Sequence, residues 1–156
     1  MRIRDKIKKP QRPVVAYEIL PPREKDGTLN TYAETISSLL SQTHIDAINI
    51  PEVHDEIGRG ERPVSNQERG EPRKFGMLLQ DIVGIEAIIN RVVVHMPMKK
   101  QMEWIQETHS KYEIDNLIIV GGESSKQQYP GPTVNESLMR ISEVNRHRKS
   151  NILCGG

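Results

Sequence analysis

Residues 14–23 read VVAYEILPPR: an apolar, β-branched run that carries one carboxylate, Glu18, and ends on two consecutive prolines. Val, Ile and Tyr favour a strand, and Pro-Pro cannot continue a ladder, so the stretch predicts a strand over 14–20 that stops at Pro21. A lone Glu inside such a strand is costly to bury unpaired. Its presence therefore asks for a use.

Working outward, short runs of the same kind recur. IDAINI (45–50), RVVVHM (91–96), NLIIV (116–120) and NILC (151–154) are nearly continuous in Val, Ile and Leu, as suits parallel strands buried on both faces. Helical patterns separate them. Tyr32, Ile36, Leu39 and Leu40 lie at helical spacing, with Thr28 or Asn30 as N-cap, and Met98, Met102, Ile105 and His109 do the same further on. Thr133 and Glu136 form a T-x-x-E capping box ahead of Leu138, Ile141 and Val144. The connection at 54–74 is polar and rich in Gly, Pro and charge, which predicts a long surface loop before a helix near 75–83.

The order βαβαβαβαβ with right-handed crossovers predicts an α/β fold with a parallel sheet. Two architectures fit: an open doubly wound sheet, or the N-terminal half of a TIM (β/α)8 barrel, which needs eight units in about 250 residues. The chain ends at CGG on a strand end, where a βα loop is expected, so it reads as a cut through a larger barrel. Residues 1–13 form a basic leader and residues 14–156 the partial barrel.

Composition excludes several function classes. There are 22 basic and 21 acidic residues, one Phe and one Trp, and no basic block beyond the leader, which argues against nucleic acid as a partner. No run of 18 apolar residues is present and the leader lacks an apolar segment behind its charges, so no membrane partner and a cytoplasmic location are expected. The single cysteine, Cys154, cannot form an intrachain disulfide, and His54, His109 and His147 lack metal-ligand spacing, so no metal site is expected and these histidines read as solvated or packing groups. The Gly-Gly at 121–122 lacks the spacing of a dinucleotide fingerprint. Ser124 and Ser125 lack the context of a nucleophile elbow.

Glu18 has company at the expected strand ends. Asn49 and Glu52 close the second strand, His95 lies near the end of the third, and Glu123 follows the fourth. In a parallel α/β fold the carboxyl ends share one rim, so Glu18, Asn49, His95 and Glu123 are expected to face one cleft.

At this point the residues resemble a known family. AYEILPPR looks like the first-strand signature of the methylenetetrahydrofolate reductases, and DAINIPEV, VVVHMPM and NLIIVGGESS follow in the order of that family's next three strands. The resemblance implies an eight-stranded barrel that holds FAD at its carboxyl rim and passes hydride from NAD(P)H to a methylene-folate in one-carbon metabolism. It implies Glu18 as the acid that assists protonation, in a partly shielded position, with Glu18, Asn49 and Glu123 at the folate and His95, Gly121, Gly122 and Glu123 at the flavin. Two departures stand out. Gly121 replaces an Arg that helps hold the flavin, and Pro51 with Glu52 replaces a Thr-aromatic pair. A second reading is a flavin-less barrel relative that serves as a partner or regulatory subunit, and a third is another barrel enzyme acting on a small anionic or pterin-like ligand without flavin. Because a five-strand half barrel leaves two edges open, the chain is expected to form a homo-oligomer or to belong with the remainder of a longer polypeptide.

Overall fold

A computed structural model of the chain describes residues 2–54, 68–124, 126–148 and 151–156. The elements run α1 (Ile3–Lys8), β1 (Ala16–Glu18), α2 (Leu29–Leu40), β2 (Ala47–Pro51), α3 (Pro72–Val83), β3 (Ala87–Val92), α4 (Met98–Tyr112), β4 (Asn116–Val120), α5 (Val134–Arg148) and β5 (Leu153–Gly155), with one 3-10 turn at Glu24–Asp26. Most of the connection expected as a long loop, 55–67, lies outside the described residues, and the helix expected near 75–83 begins at Pro72.

All five strands are parallel and their order in the sheet is their order in sequence, β1-β2-β3-β4-β5. A doubly wound sheet reverses strand order at a switch point, and no reversal occurs among these strands. Right-handed crossovers in one direction place every connecting helix on the same face of the sheet. Burial agrees with this arrangement. Ile48 and Ile50 on β2, Ala87 and Ile89 on β3, and Leu117 and Ile119 on β4 are buried together with Phe75 and Leu79 of α3, Met102 and Ile105 of α4 and Ile141 of α5. The alternate positions form the other face, where Asn49, Ile88 and Asn90 are only half-buried and Ile118 is 37% exposed.

Local chemistry places the helix ends. Thr28 caps α2, its hydroxyl accepting from Thr31 N at 3.2 Å. The capping box of α5 forms reciprocally: Thr133 N donates to Glu136 at 2.8 Å and Glu136 N to Thr133 Oγ1 at 3.2 Å. Strand β3 corrects the expected register. RVVVHM was expected as the strand, but β3 begins four residues earlier, because Ala87 and Ile89 are the side chains that bury under the helices. Val93 and Val94 are buried as the chain leaves the sheet, which accounts for the apolar run without making it strand.

The basic leader folds as a floor under the sheet. Helix α1 buries Ile3, whose amide donates to the Glu86 carboxylate, while Arg2 pairs with Asp115 at 3.6 Å and Arg4 donates to the Asn151 carbonyl. Each of these partners stands just before β3, β4 or β5. Asp46, just before β2, accepts from Val15 N and from both terminal nitrogens of Arg12 at 2.8–2.9 Å, and pairs with Lys6 at 2.9 Å. The Val15 amide first, then Lys6 and Arg12, hold the Asp46 carboxyl far below the usual carboxylate range. A carboxyl depressed in the folded state contributes stability above its unfolded value, near pH 4, and that contribution is lost as pH falls through the folded value. An Asp46→Asn protein is therefore expected to lose stability at neutral pH and to show a flatter loss below about pH 4 than the wild type, measured by urea unfolding as a function of pH.

Candidate functional site

The two prolines that end β1 are buried, and the chain they direct away from the sheet is tied to the segment before α3. Arg69 Nη1 donates to the Pro21 carbonyl at 2.9 Å and Gly70 N to the Pro22 carbonyl at 2.9 Å. Beside this contact, a cleft opens at the carboxyl ends of β1 to β4, with Leu20 just before the prolines in its wall. The cleft encloses about 370 Å³. Three carboxylates line it, Glu18 from β1, Glu52 after β2 and Glu123 after β4, with His54 and Asn90 between them and Leu20, Val92 and Val120 as apolar wall. Among the described residues, no Lys or Arg lines it.

Of the residues expected to meet there, Glu18, Glu123 and Gly121 line the cleft. Asn49 joins through Glu18: its Nδ2 donates to Glu18 Oε2 at 2.9 Å, between positions paired across β1 and β2. That bond orients the Asn49 amide and fixes one carboxylate oxygen of Glu18. The expected shielding of Glu18 is not met, because β1 is an edge strand exposed over its whole length.

His95 stands differently from its expected place. It lies three residues beyond the end of β3, and its ring stacks behind His54, centroids 4.3 Å apart, and meets the edge of Tyr129 at 5.5 Å. The β3 residue that reaches the cleft is Asn90. Gly122, expected at the cofactor, packs against an aromatic ring. The Tyr129 ring lies against it, within 2.1–2.4 Å of where a side-chain carbon would stand, so its open side is filled from within the chain. Gly131 completes the rim: its amide donates to Val94 O at 2.8 Å, and a side chain there would fall 2.5 Å from the Met96 and Val93 carbonyls. The loops after β3 and β4 are thereby locked together.

Glu52 is the most heavily constrained group of the cleft. Its Oε1 pairs with Arg91, which is 2% exposed, and its Oε2 accepts from Val92 N at 3.0 Å. Arg91 in turn donates through Nε to Gln101 Oε1 at 2.9 Å and lies over the Trp104 ring at 4.1 Å, while Gln101 Nε2 donates to the Val93 carbonyl at 2.6 Å. Burial opposes the Glu52 charge, but His54, whose Nε2 lies 3.4 Å from Oε2, the Arg91 charge and the Val92 amide outweigh it and hold the carboxyl below its ordinary value. The side chain read from sequence as a rim group is thus an anchored anion. His54, read as a solvated or packing histidine, is a cleft residue, and Glu52 and His54 at i and i+2 on extended chain were the signal that both point to related surroundings.

Among the described residues, no group of three or more His, Cys, Asp or Glu is arranged to hold a metal ion. A flavin nucleotide brings phosphate charge. Walls with three carboxylates and, among the described residues, no Lys or Arg do not suit that part of FAD. No helix among the described residues is long and apolar enough to cross a membrane.

Together these features define an α/β protein with a five-stranded, all-parallel sheet, alternating helices and a polar cleft at the carboxyl ends of its strands. No family model matches the chain, and no curated protein matches it. The resemblance to the methylenetetrahydrofolate reductases rests on the residues alone.

Proposed function

We propose that this chain is the N-terminal half of a (β/α)8 barrel related to methylenetetrahydrofolate reductase, and that its carboxyl-end cleft binds a folate-type small molecule. The observation that carries the reading is the Glu18–Asn49 pair, a hydrogen-bonded carboxylate at the ends of two adjacent strands with Glu123 at the same cleft. Asn49 holds one oxygen of Glu18, which directs the other toward a ligand nitrogen. In the reductive chemistry of that family, with hydride from NAD(P)H, the protein must deliver a proton as the methylene bridge opens, and this reading gives Glu18 that task. Strand order supports the barrel, since a sequential parallel sheet with helices on one face is the geometry of successive (β/α) units. Closing it requires partners for edges β1 and β5, supplied by the remainder of a longer chain or by a second copy.

The walls favour a second reading over a flavoenzyme in one respect. With no Lys or Arg at the described cleft, a relative that has given up flavin and serves as a partner subunit fits these residues. One preparation tests both. The purified protein is titrated with 5-methyltetrahydrofolate by calorimetry and its visible spectrum is recorded. Saturable folate binding with flavin absorbance supports the reductase, and folate binding by a colourless protein supports the flavin-less relative. Absence of folate binding removes both.

A further inference from the structure

The chain Gln101–Arg91–Glu52–His54 has no part in the folate reading, and it joins α4 to the cleft through a series of buried or half-buried polar groups. It starts on α4, crosses the sheet through a guanidinium that is 2% exposed, and ends on an imidazole that lines the cleft. Each link fixes the next. Gln101 and the Trp104 ring immobilise Arg91, and Arg91 with the Val92 amide immobilises Glu52. His54 then presents Nε2 to Glu52 Oε2 at 3.4 Å, and the stack on His95 keeps the ring from turning away. Such expenditure of buried polar groups on the orientation of one imidazole exceeds what a surface histidine needs.

We propose that His54, oriented by Glu52, is the proton-accepting group of this cleft, and that the cleft takes ligands which present an N–H or O–H donor to it. The argument is one of tautomers. A neutral imidazole has one N–H and one lone pair, and a lone pair facing an ionised carboxylate is repelled. Nε2 is buried 3.4 Å from Glu52 Oε2 without the geometry of a hydrogen bond, so it is the carboxylate's charge, not a formed bond, that assigns the proton to Nε2. The lone pair is then carried by Nδ1, on a ring that remains 34% exposed at the cleft. Among the described residues, the groups that face this ring or share its cleft are Glu52 and, through it, Arg91, His95 with Tyr129 behind it, and Glu18 and Glu123. A walled cleft with carboxylates and a basic nitrogen receives donors and repels phosphate-bearing groups. The proposal stands whether or not the ligand is a folate.

The test needs no ligand. In protein labelled with ¹⁵N-histidine, the neutral form of His54 is expected as the Nε2–H tautomer. Glu52→Gln should weaken that preference: the new amide has one oxygen for Arg91 on one side and the Val92 amide on the other, and whichever way it turns, the negative charge that disfavours a lone pair at His54 Nε2 is gone. Reactivity follows the lone pair. Diethyl pyrocarbonate, which forms a bond to an unprotonated imidazole nitrogen and loses ethyl carbonate, should label His54 readily in the wild type, as read by peptide mass mapping. Labelling should fall in Glu52→Gln, because part of the neutral imidazole then carries its lone pair on the buried nitrogen. A wild-type Nδ1–H tautomer overturns the proposal, and so does equal labelling in the two folded proteins. The wild-type spectrum decides the orientation by itself, so a variant that failed to fold would leave a deciding measurement.

Discussion

A Glu52→Ala protein unfolds in urea with about 3–5 kcal/mol less stability than the wild type. The size comes from what is left behind. Arg91 is 2% exposed and cannot reach water, so removing its carboxylate strands a guanidinium in the interior, with Gln101 and the Trp104 ring as its remaining partners. The pair itself is a weak source of net stability, since both charges lose their hydration on burial. A double variant, Glu52→Ala with Arg91→Met, should therefore recover most of the loss. If the double variant is as unstable as the single one, the cost belongs to packing around residue 52 and the buried charge is not its cause.

Glu18→Gln carries the largest expected effect on function. In the active protein it should lower folate turnover by about 10²–10⁴-fold, the range for a lost general acid or base, while oxidation of the nicotinamide cofactor by other acceptors changes little. The substitution keeps the side chain's shape and can keep a contact to Asn49, so it removes the proton and spares the strand pairing. Affinity for 5-methyltetrahydrofolate should change less than turnover does. Unchanged turnover would remove Glu18 from the chemistry.

Residues close together in sequence made some of this structure legible in advance. Strand β4 falls on NLIIV, and α5 begins at its capping box, because both signals are local: an unbroken β-branched run, and two side chains three residues apart that satisfy each other's amides. Strand β3 was not legible. Its sequence, AIINRV, contains Asn90 and Arg91, which argue against a buried strand until Glu52, Gln101 and Trp104 arrive from distant segments to pair with the arginine. That misplacement carried His95 toward the rim and hid Asn90. The exposure of Glu18 was equally beyond reach, since it depends on β1 lying at the sheet edge, a matter of strand order. The role of the leader, by contrast, had a signal that passed unread. An acidic residue precedes each of three strands, Asp46 before β2, Glu86 before β3 and Asp115 before β4, and a basic segment is their complement.

The same leader bears on how the molecule is made. Every strand pairs with the one synthesised just before it, so the sheet can grow in the direction of translation, each new unit docking on a surface already present. Helix α1 is the exception. It precedes these strands in the sequence, yet Arg2 and Arg4 find their partners at Asp115 and Asn151, beside β4 and β5. Those two contacts can form only once β4 and β5 have been made, whereas Lys6 can meet Asp46 beside β2, and the Ile3 amide Glu86 beside β3, earlier in synthesis.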